Sequence, residues 1–298
     1  MKNTWRGVFP AATTQFKADG SVDHAATRAG LEQMIDAGVD GFIIMGSVGE
    51  NTVLEPDEKI AVLKTAKEAT RGRVPILSGV AENSTPAACR YAKACEEMKI
   101  DGLMVLPAMI YKADSREAVE HFRAVARSTK LPIMIYNNPA AYSVDLHPEE
   151  FQALSDSPNL VCIKESTGNP RRITDIINRV GDRYAIFCGV DDLVFEAATL
   201  GAIGWVAGFP GAFPRESVRL WKLLAAKKYE EALTIYRWFM PILHMDDHPK
   251  LVQYIKLAQA MNGVGTERVR APRLALEGAE RERIGGLIRR AMETRPNI

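Results

Sequence analysis

Eight short, almost wholly apolar runs recur along the chain, each separated from the next by enough residues for one helix. They are GVFPAATT from residue 7, GFIIMGS from 41, VPILSGV from 74, GLMVLP from 102, LPIMIYNN from 131, LVCIKES from 160, YAIFCGV from 184 and GAIGWVAGF from 201. Continuous apolar runs, with no polar residue at every second position, fit strands of a parallel sheet covered on both faces. The stretches between them, such as DHAATRAGLEQMIDAG, EPDEKIAVLKTAKEATRG and SREAVEHFRAVARSTK, have helical periodicity. Their ends carry helix punctuation: Pro56 follows Glu55 at one start, and Gly38 and Gly72 close two others. Eight strand–helix units in roughly 220 residues predict an α/β fold, a TIM (β/α)8 barrel. From Lys222 onward no strand run appears, only helical stretches: KLLAAKKYEEALTIYRWFMPILH, PKLVQYIKLAQAMNGVG and EGAERERIGGLIRRAMET. The expected division is a barrel over residues 1–221 and a C-terminal helical extension over 222–298. A doubly wound dinucleotide-binding sheet is the alternative, but no GxGxxG follows the first run.

Composition narrows the function. With 38 Lys and Arg against 37 Asp and Glu, the net charge is +1, which supplies no basic excess for nucleic acid. Apolar residues make up 47% of the 298, ample for a packed core. No uninterrupted apolar stretch approaches the ~18 residues of a membrane span. The opening MKNTWRGVFP has no apolar leader segment. The expectation is a cytoplasmic protein without membrane or nucleic-acid partners. Cys89, Cys95, Cys162 and Cys188 form no CxxC pair and read as reduced packing residues. The five histidines show no metal-ligand spacing, so no metal is expected.

Barrel chemistry sits where strands end, which draws attention to three places. Lys164 lies in the apolar run LVCIKEST. It is a strand-end lysine snorkelling to solvent or paired with Glu165, or else a desolvated amine, neutral enough to attack a carbonyl or imine carbon. Tyr136 ends PIMIY, as packing or as a proton-transferring phenol. The turn Gly46-Ser47-Val48-Gly49-Glu50 is either an ordinary tight turn or a set of backbone N–H groups suited to a carboxylate. Glu50 reads as a brace for that turn. The HMDDH segment over residues 244–248 reads as a capping and interhelix hydrogen-bonding turn in preference to a metal site.

Taken together, GSVGE after the second run, YNNP at the end of the fifth and IKES at the end of the sixth resemble the dihydrodipicolinate synthase/N-acetylneuraminate lyase family, class I aldolase-like enzymes. The resemblance covers nearly the whole chain. It implies a barrel with C-terminal helices, usually a homotetramer, acting on a small 2-oxo or 2-imino acid without metal or organic cofactor. Lys164 would form the Schiff base and Tyr136 would transfer protons. Ser47 and the Val48 amide would bind the substrate carboxylate, with Ser47 also serving proton transfer. Gly189 and Ile203 match positions lining the same pocket.

The chain departs from the synthases of that family. Ala141 stands where they carry a substrate-binding arginine, and Ala108 and Met109 replace a tyrosine pair, one member of which crosses to the neighbouring subunit. The surroundings of Trp205, Phe209 and Phe213 look too apolar for the polyol of a sialic acid and suggest a small substrate. The tail LHMDDHPKLVQYIKLAQAMNGVGTERVRAP is most similar to the subgroup acting on 1-pyrroline-4-hydroxy-2-carboxylate in hydroxyproline breakdown. The expected activity is therefore deamination of that cyclic imine to 2-oxoglutarate semialdehyde and ammonia. Dehydration of a 2-keto-3-deoxy sugar acid and retro-aldol cleavage of a 4-hydroxy-2-oxo acid need the same machinery. A non-catalytic barrel serving as a binding or regulatory protein is the reading from another class.

Overall fold

The computed structural model describes residues 5–297; residues 1–4, part of the opening weighed above for a leader, lie outside the described residues. Each of the eight apolar runs forms a strand: β1 (Gly7–Pro10), β2 (Phe42–Ile44), β3 (Ile76–Val80), β4 (Gly102–Val105), β5 (Ile133–Asn137), β6 (Leu160–Glu165), β7 (Ala185–Cys188) and β8 (Gly204–Ala207). All pair in parallel, in the order β1-β8-β7-β6-β5-β4-β3-β2. An isolated parallel bridge between Ala11 and Ile43, with the Ala12 N–H donating to the Ile43 carbonyl at 3.0 Å, closes β1 onto β2. The sheet is a closed (β/α)8 barrel, so the open doubly wound alternative is excluded. Apart from Ala185, every strand residue is buried. Side chains pointing inward fill the barrel and those pointing outward meet helices, so neither face tolerates a polar alternation.

The helices of the barrel are α1 (His24–Asp36), α2 (Pro56–Thr70), α3 (Thr85–Glu97), α4 (Ser115–Ser128), the short α5 (Pro139–Tyr142), α6 (Pro148–Ala153), α7 (Arg171–Val180), α8 (Val194–Thr199) and α9 (Pro214–Ala225). The punctuation read from the sequence is in place. Pro56 opens α2 within a Glu55–Glu58 capping box, and Gly38 and Gly72 take φ +91° and +73° just beyond α1 and α2, a left-handed conformation that glycine adopts without a Cβ penalty. Cys95, Cys162 and Cys188 are buried, Cys89 is half-buried, and all four are unpaired thiols.

Three helices follow: α10 (Tyr229–Leu243), α11 (Leu251–Met261) and α12 (Gly278–Glu293). The boundary expected between residues 221 and 222 lies inside α9, which packs against β1 and α10 together. Helix α12 buries Ile284, Ile288 and Ala291 and leaves its charged side chains in solvent. Helix α11 is anchored in the barrel's C-terminal rim. The Thr13 hydroxyl donates to Gln259 Oε1 at 2.8 Å, and Gln259 Nε2 donates to the Gly211 carbonyl at 3.1 Å. Lys256 Nζ meets Glu50 Oε1 at 2.5 Å with both side chains fully buried. The extension is therefore packed across the end of the barrel where the strands finish. Among the described residues no helix is long and apolar enough to cross a membrane.

Candidate active site

Strand register places the two principal side chains. Tyr136 on β5 is the partner of Lys164 on β6, and Asn137 is the partner of Glu165. Registered residues on parallel neighbours point to the same face, and successive residues to opposite faces. Lys164 and Tyr136 accordingly share the barrel interior. Glu165 points outward, where its carboxylate accepts from Asn137 Nδ2 at 3.2 Å and from the Thr167 N–H at 2.8 Å. The pairing of Lys164 with Glu165, one of the sequence readings, is thus ruled out by the pleat. Lys164 Nζ lies 4.0 Å from the centroid of the Tyr136 ring, and among the described residues no carboxylate oxygen comes within 4 Å of it.

Burial lowers the Lys164 pKa from that of an ordinary lysine, against the opposing pull of Asp246, Tyr142 and Asp191. A buried amine with no ion-pair partner loses less on deprotonation than it would on remaining charged. Burial pushes the Tyr136 phenol up to about 12, although Asn138 Nδ2, donating to its oxygen at 3.0 Å, pulls the other way. At neutral pH the phenol therefore carries its proton and serves as a donor.

Both side chains line a cavity of about 400 Å³ at the C-terminal ends of the strands. Ser47, Val48 and Gly189 line it too, so five of the six residues singled out in the sequence meet in one place. Gly189 is required there by close approach: a Cβ would fall 1.9 Å from Ser166 Oγ and 2.7 Å from Lys164 Cγ. The turn carrying Ser47 is held by unusual backbone. Met45 and Glu50 both adopt left-handed conformations, φ 62° and 55°. Asn51 Nδ2 steadies them by donating to the Met45 carbonyl at 2.9 Å and the Gly79 carbonyl at 3.3 Å. Strained conformations of this kind persist where the surroundings over-determine them. Glu50 is the brace expected of it: beside Lys256, it accepts the Arg270 N–H at 3.1 Å.

Ile203 is not part of the site. It precedes β8 at the N-terminal end of the barrel, is 44% exposed, and lines a separate surface groove with Val161, Ile177 and Gly181. The run GAIGWVAGF contains the whole strand, and its apolar pattern does not reveal which end faces the chemistry. The wall contributed by β8 consists of Val206 and Gly208. Trp205, Phe209 and Phe213 are likewise outside the cavity, fully buried in the core, so the limit on substrate size comes from the cavity's dimensions.

The structure adds residues that sequence reasoning passed over. Tyr142 ends α5, which starts directly after Asn138, and its hydroxyl hydrogen-bonds the Ser47 hydroxyl. Its ring stands edge-on to that of Tyr136, with centroids 5.6 Å apart. A second tyrosine in the loop YNNPAAY was the available signal. Asp246, from the segment after α10, also lines the cavity, and the Asp191 N–H donates to its Oδ2 at 3.3 Å. The HMDDH segment does form the expected bonds between elements, His244 Nδ1 to Asp192 Oδ2 at 2.7 Å among them, but its third residue reaches the site as well. Ser166 Oγ is buried at the cavity wall without a hydrogen-bond partner.

Comparison with known proteins gives a consistent picture. The model of the dihydrodipicolinate synthetase family matches residues 4–291. The 4-hydroxy-tetrahydrodipicolinate synthase 1 of Halalkalibacterium halodurans is 30% identical over 280 residues, 93% of this chain and 94% of its own. The corresponding synthase of Parabacteroides distasonis is 32% identical over 250 residues, covering 82% and 84%. Among solved structures, the synthase of Methylacidiphilum fumariolicum superimposes with TM-score 0.92 at 27% identity over 97% of each chain. A prophage protein of the same family from E. coli K12, solved in complex with pyruvate, gives 0.91 at 27% identity, covering 97% of this chain and 99% of its own.

Proposed function

The chain belongs to the dihydrodipicolinate synthetase family, a family of Schiff-base lyases, and from that premise we propose that it converts 1-pyrroline-4-hydroxy-2-carboxylate to 2-oxoglutarate semialdehyde and ammonia. The observation that carries this reading is the unpaired, buried Lys164 amine against Tyr136 in a cavity with no arginine, among the described residues, on its walls. The relatives' name raises synthase activity as the competing assignment. A synthase must hold the carboxylate of a second substrate, and here Ala141 lines the cavity where the resemblance calls for an arginine. No other guanidinium takes its place there, and an ammonium or hydroxyl does not reproduce a bidentate grip.

Lys164 attacks C2 of the cyclic imine while the Ser47 hydroxyl and the Val48 amide receive the substrate carboxylate. Transimination breaks the ring C–N bond and frees a 5-amino group. The resulting iminium acidifies C3, whose proton passes to water held at Tyr136. The electron pair then expels the 4-hydroxyl as water, with its proton supplied by the Tyr136 phenol. Tautomerisation carries the unsaturation to C5, and two hydrolyses release ammonia from C5 and the oxo acid from Lys164. One water leaves and two enter, so the sum is substrate plus one water to semialdehyde plus ammonia. The protonated Schiff base is the only electron sink the elimination needs.

Tyr142 occupies the role that the resemblance gives to a tyrosine from a second subunit. Its hydroxyl bonds the Ser47 hydroxyl and its ring stands against that of Tyr136, so a second phenol of the same chain lies beside the proton donor and can feed protons to it. Tyr142→Phe keeps the ring packing and removes the hydroxyl. It is expected to lower kcat of ammonia release about 10²-fold while leaving borohydride trapping of pyruvate on Lys164 intact; a kcat within a few-fold of wild type removes Tyr142 from the relay. A homotetramer, implied by the resemblance, and a cytoplasmic location, expected from the sequence, remain part of the proposal.

Ammonia release from 1-pyrroline-4-hydroxy-2-carboxylate, followed by a coupled enzymatic assay, is the direct test. Rapid release supports the deaminase, since dehydration or retro-aldol cleavage of a nitrogen-free acid liberates no ammonia. No release from a folded protein that still traps pyruvate overturns it in favour of 2-keto-3-deoxy sugar acids or 4-hydroxy-2-oxo acids.

A further inference from the structure

The charge lining the cavity is one-sided. Among the described residues Lys164 is the sole basic side chain on its walls, whereas Asp192, Asp246 and Asp247 all contribute to them, and Asp191 lies fully buried behind. These acids are not equivalent. Asp191 accepts the Gly208 N–H at 3.2 Å and the Phe209 N–H at 3.0 Å, so its carboxyl is engaged by the backbone. Asp192 is paired with His244. Asp246 has one oxygen engaged, Oδ2 by the Asp191 N–H; among the described residues its Oδ1, beside Gly208 at the cavity wall, receives no hydrogen bond. Ser166 Oγ, buried in the same wall, has no partner either. A half-buried carboxylate with a free oxygen, in a wall that also holds an unpartnered buried hydroxyl, is a costly arrangement unless a ligand completes it. An anionic group on the ligand would meet repulsion there, so the complement is a cationic one.

We propose that Asp246 receives the basic nitrogen of the substrate, which makes the cavity selective for 2-imino and amino-bearing 2-oxo acids over their nitrogen-free counterparts; the proposal rests on the Schiff-base reading of Lys164 above. In the bound state Asp246 pairs with the protonated ring nitrogen. When Lys164 Nζ bonds to C2, the π electrons of the C=N bond return to that nitrogen and Nζ becomes cationic. Asp246 takes a proton from Nζ and passes it to the ring nitrogen, whose bond to C2 then breaks with the electron pair leaving on nitrogen. The products of the step are the Lys164 iminium and a neutral 5-amino group whose N–H donates to Asp246. No other reactant is consumed. A carboxylate drawn from the tail thereby adapts a site built for 2-oxo acids to a substrate that carries its own amine.

Two probes separate this from the reaction itself: 1-pyrroline-2-carboxylate, which has the nitrogen but no 4-hydroxyl to eliminate, and 2-oxopentanoate, the same carbon chain without nitrogen. The concentration giving half-maximal borohydride-trapped adduct is measured for each by intact mass. Wild type is expected to favour the pyrroline by about tenfold or more. Asp246→Asn keeps an acceptor for the Asp191 N–H and is expected to bring the two probes within about threefold, with pyruvate trapping as the check on folding. Asp246→Ala repeats the comparison if the asparagine variant does not fold. Equal trapping of both probes by wild type, or a preference that survives loss of the charge, overturns the proposal. A preference lost with Asp246, in an enzyme that releases no ammonia from the hydroxylated substrate, upholds the nitrogen site and rejects the deaminase reading alone.

Discussion

Lys164→Ala is expected to abolish the borohydride-stabilised adduct with pyruvate and to reduce ammonia release by about 10⁴-fold or more, the scale seen when a covalent nucleophile is removed. The effect is large because among the described residues no second lysine lines the cavity, and the other buried amines, Lys59 and Lys256, are committed to Glu82 and Glu50. Intact-mass analysis after reduction reads the outcome directly, and an adduct persisting on the variant would move the nucleophile elsewhere. The pH dependence has a definite sign. Only the neutral amine attacks, and burial lowers the Lys164 pKa from 10.5. The trapping rate with pyruvate should therefore climb with pH and reach its plateau below the range of an ordinary lysine. The acidic neighbours Asp246 and Asp191 and the Tyr142 phenol oppose the shift. Tyr136, with its phenol pushed up to about 12, stays protonated through that rise and does not contribute a limb to it.

The second large effect concerns stability. Lys256 and Glu50 form an ion pair with no exposure of either side chain, joining α11 to the turn that carries Ser47 and Val48. Lys256→Met leaves the Glu50 carboxylate buried, with the Arg270 N–H at 3.1 Å and Arg273 Nη1 at 3.8 Å as its remaining partners. Removing one member of such a pair costs about 3–5 kcal/mol, most of it the desolvation of the charge left behind. The midpoint of urea unfolding should fall accordingly. The double change Glu50→Gln with Lys256→Met removes both charges and keeps an acceptor for the Arg270 amide. It should cost less than the sum of the two single changes, because the stranded charge is gone. An additive double variant would show that the pair contributes nothing as a pair. Since Glu50 adopts φ 55° at the end of the Ser47 turn, the destabilised single variant should also bind 2-oxo acids more weakly.

The two effects meet in the architecture. Lys164, the proposed nucleophile, sits on a barrel strand, while the Ser47 turn proposed to receive the carboxylate is held in place from the tail. The extension beyond the eighth strand is therefore part of the site's construction: it supplies Lys256 as a brace, Gln259 as an anchor for Thr13 and Asp246 as a wall of the cavity.

Sequence alone determined what depends on local periodicity and strand pleat. Eight continuous apolar runs separated by capped helices define a parallel sheet covered on both faces, since only such a sheet can bury these strands, and their number and spacing point to a barrel. The same regularity placed Lys164, Tyr136, Ser47, Val48 and Gly189 at strand ends, and they do share one cavity. Tertiary structure alone decided the rest. Ile203 lies at the other end of its strand, since an apolar run looks alike from both ends. Trp205 went to the core because a strand residue's face depends on register, and Phe209 and Phe213 because the turn after β8 and the start of α9 fold them inward. Tyr142 reaches Ser47 only once a four-residue helix turns the chain back. Asp246 belongs to the site through the packing of a distant segment across the rim, which no short-range pattern encodes. A pair of adjacent acids reads as a capping and interhelix hydrogen-bonding turn until burial beside an unpaired amine gives one of them a charge to answer.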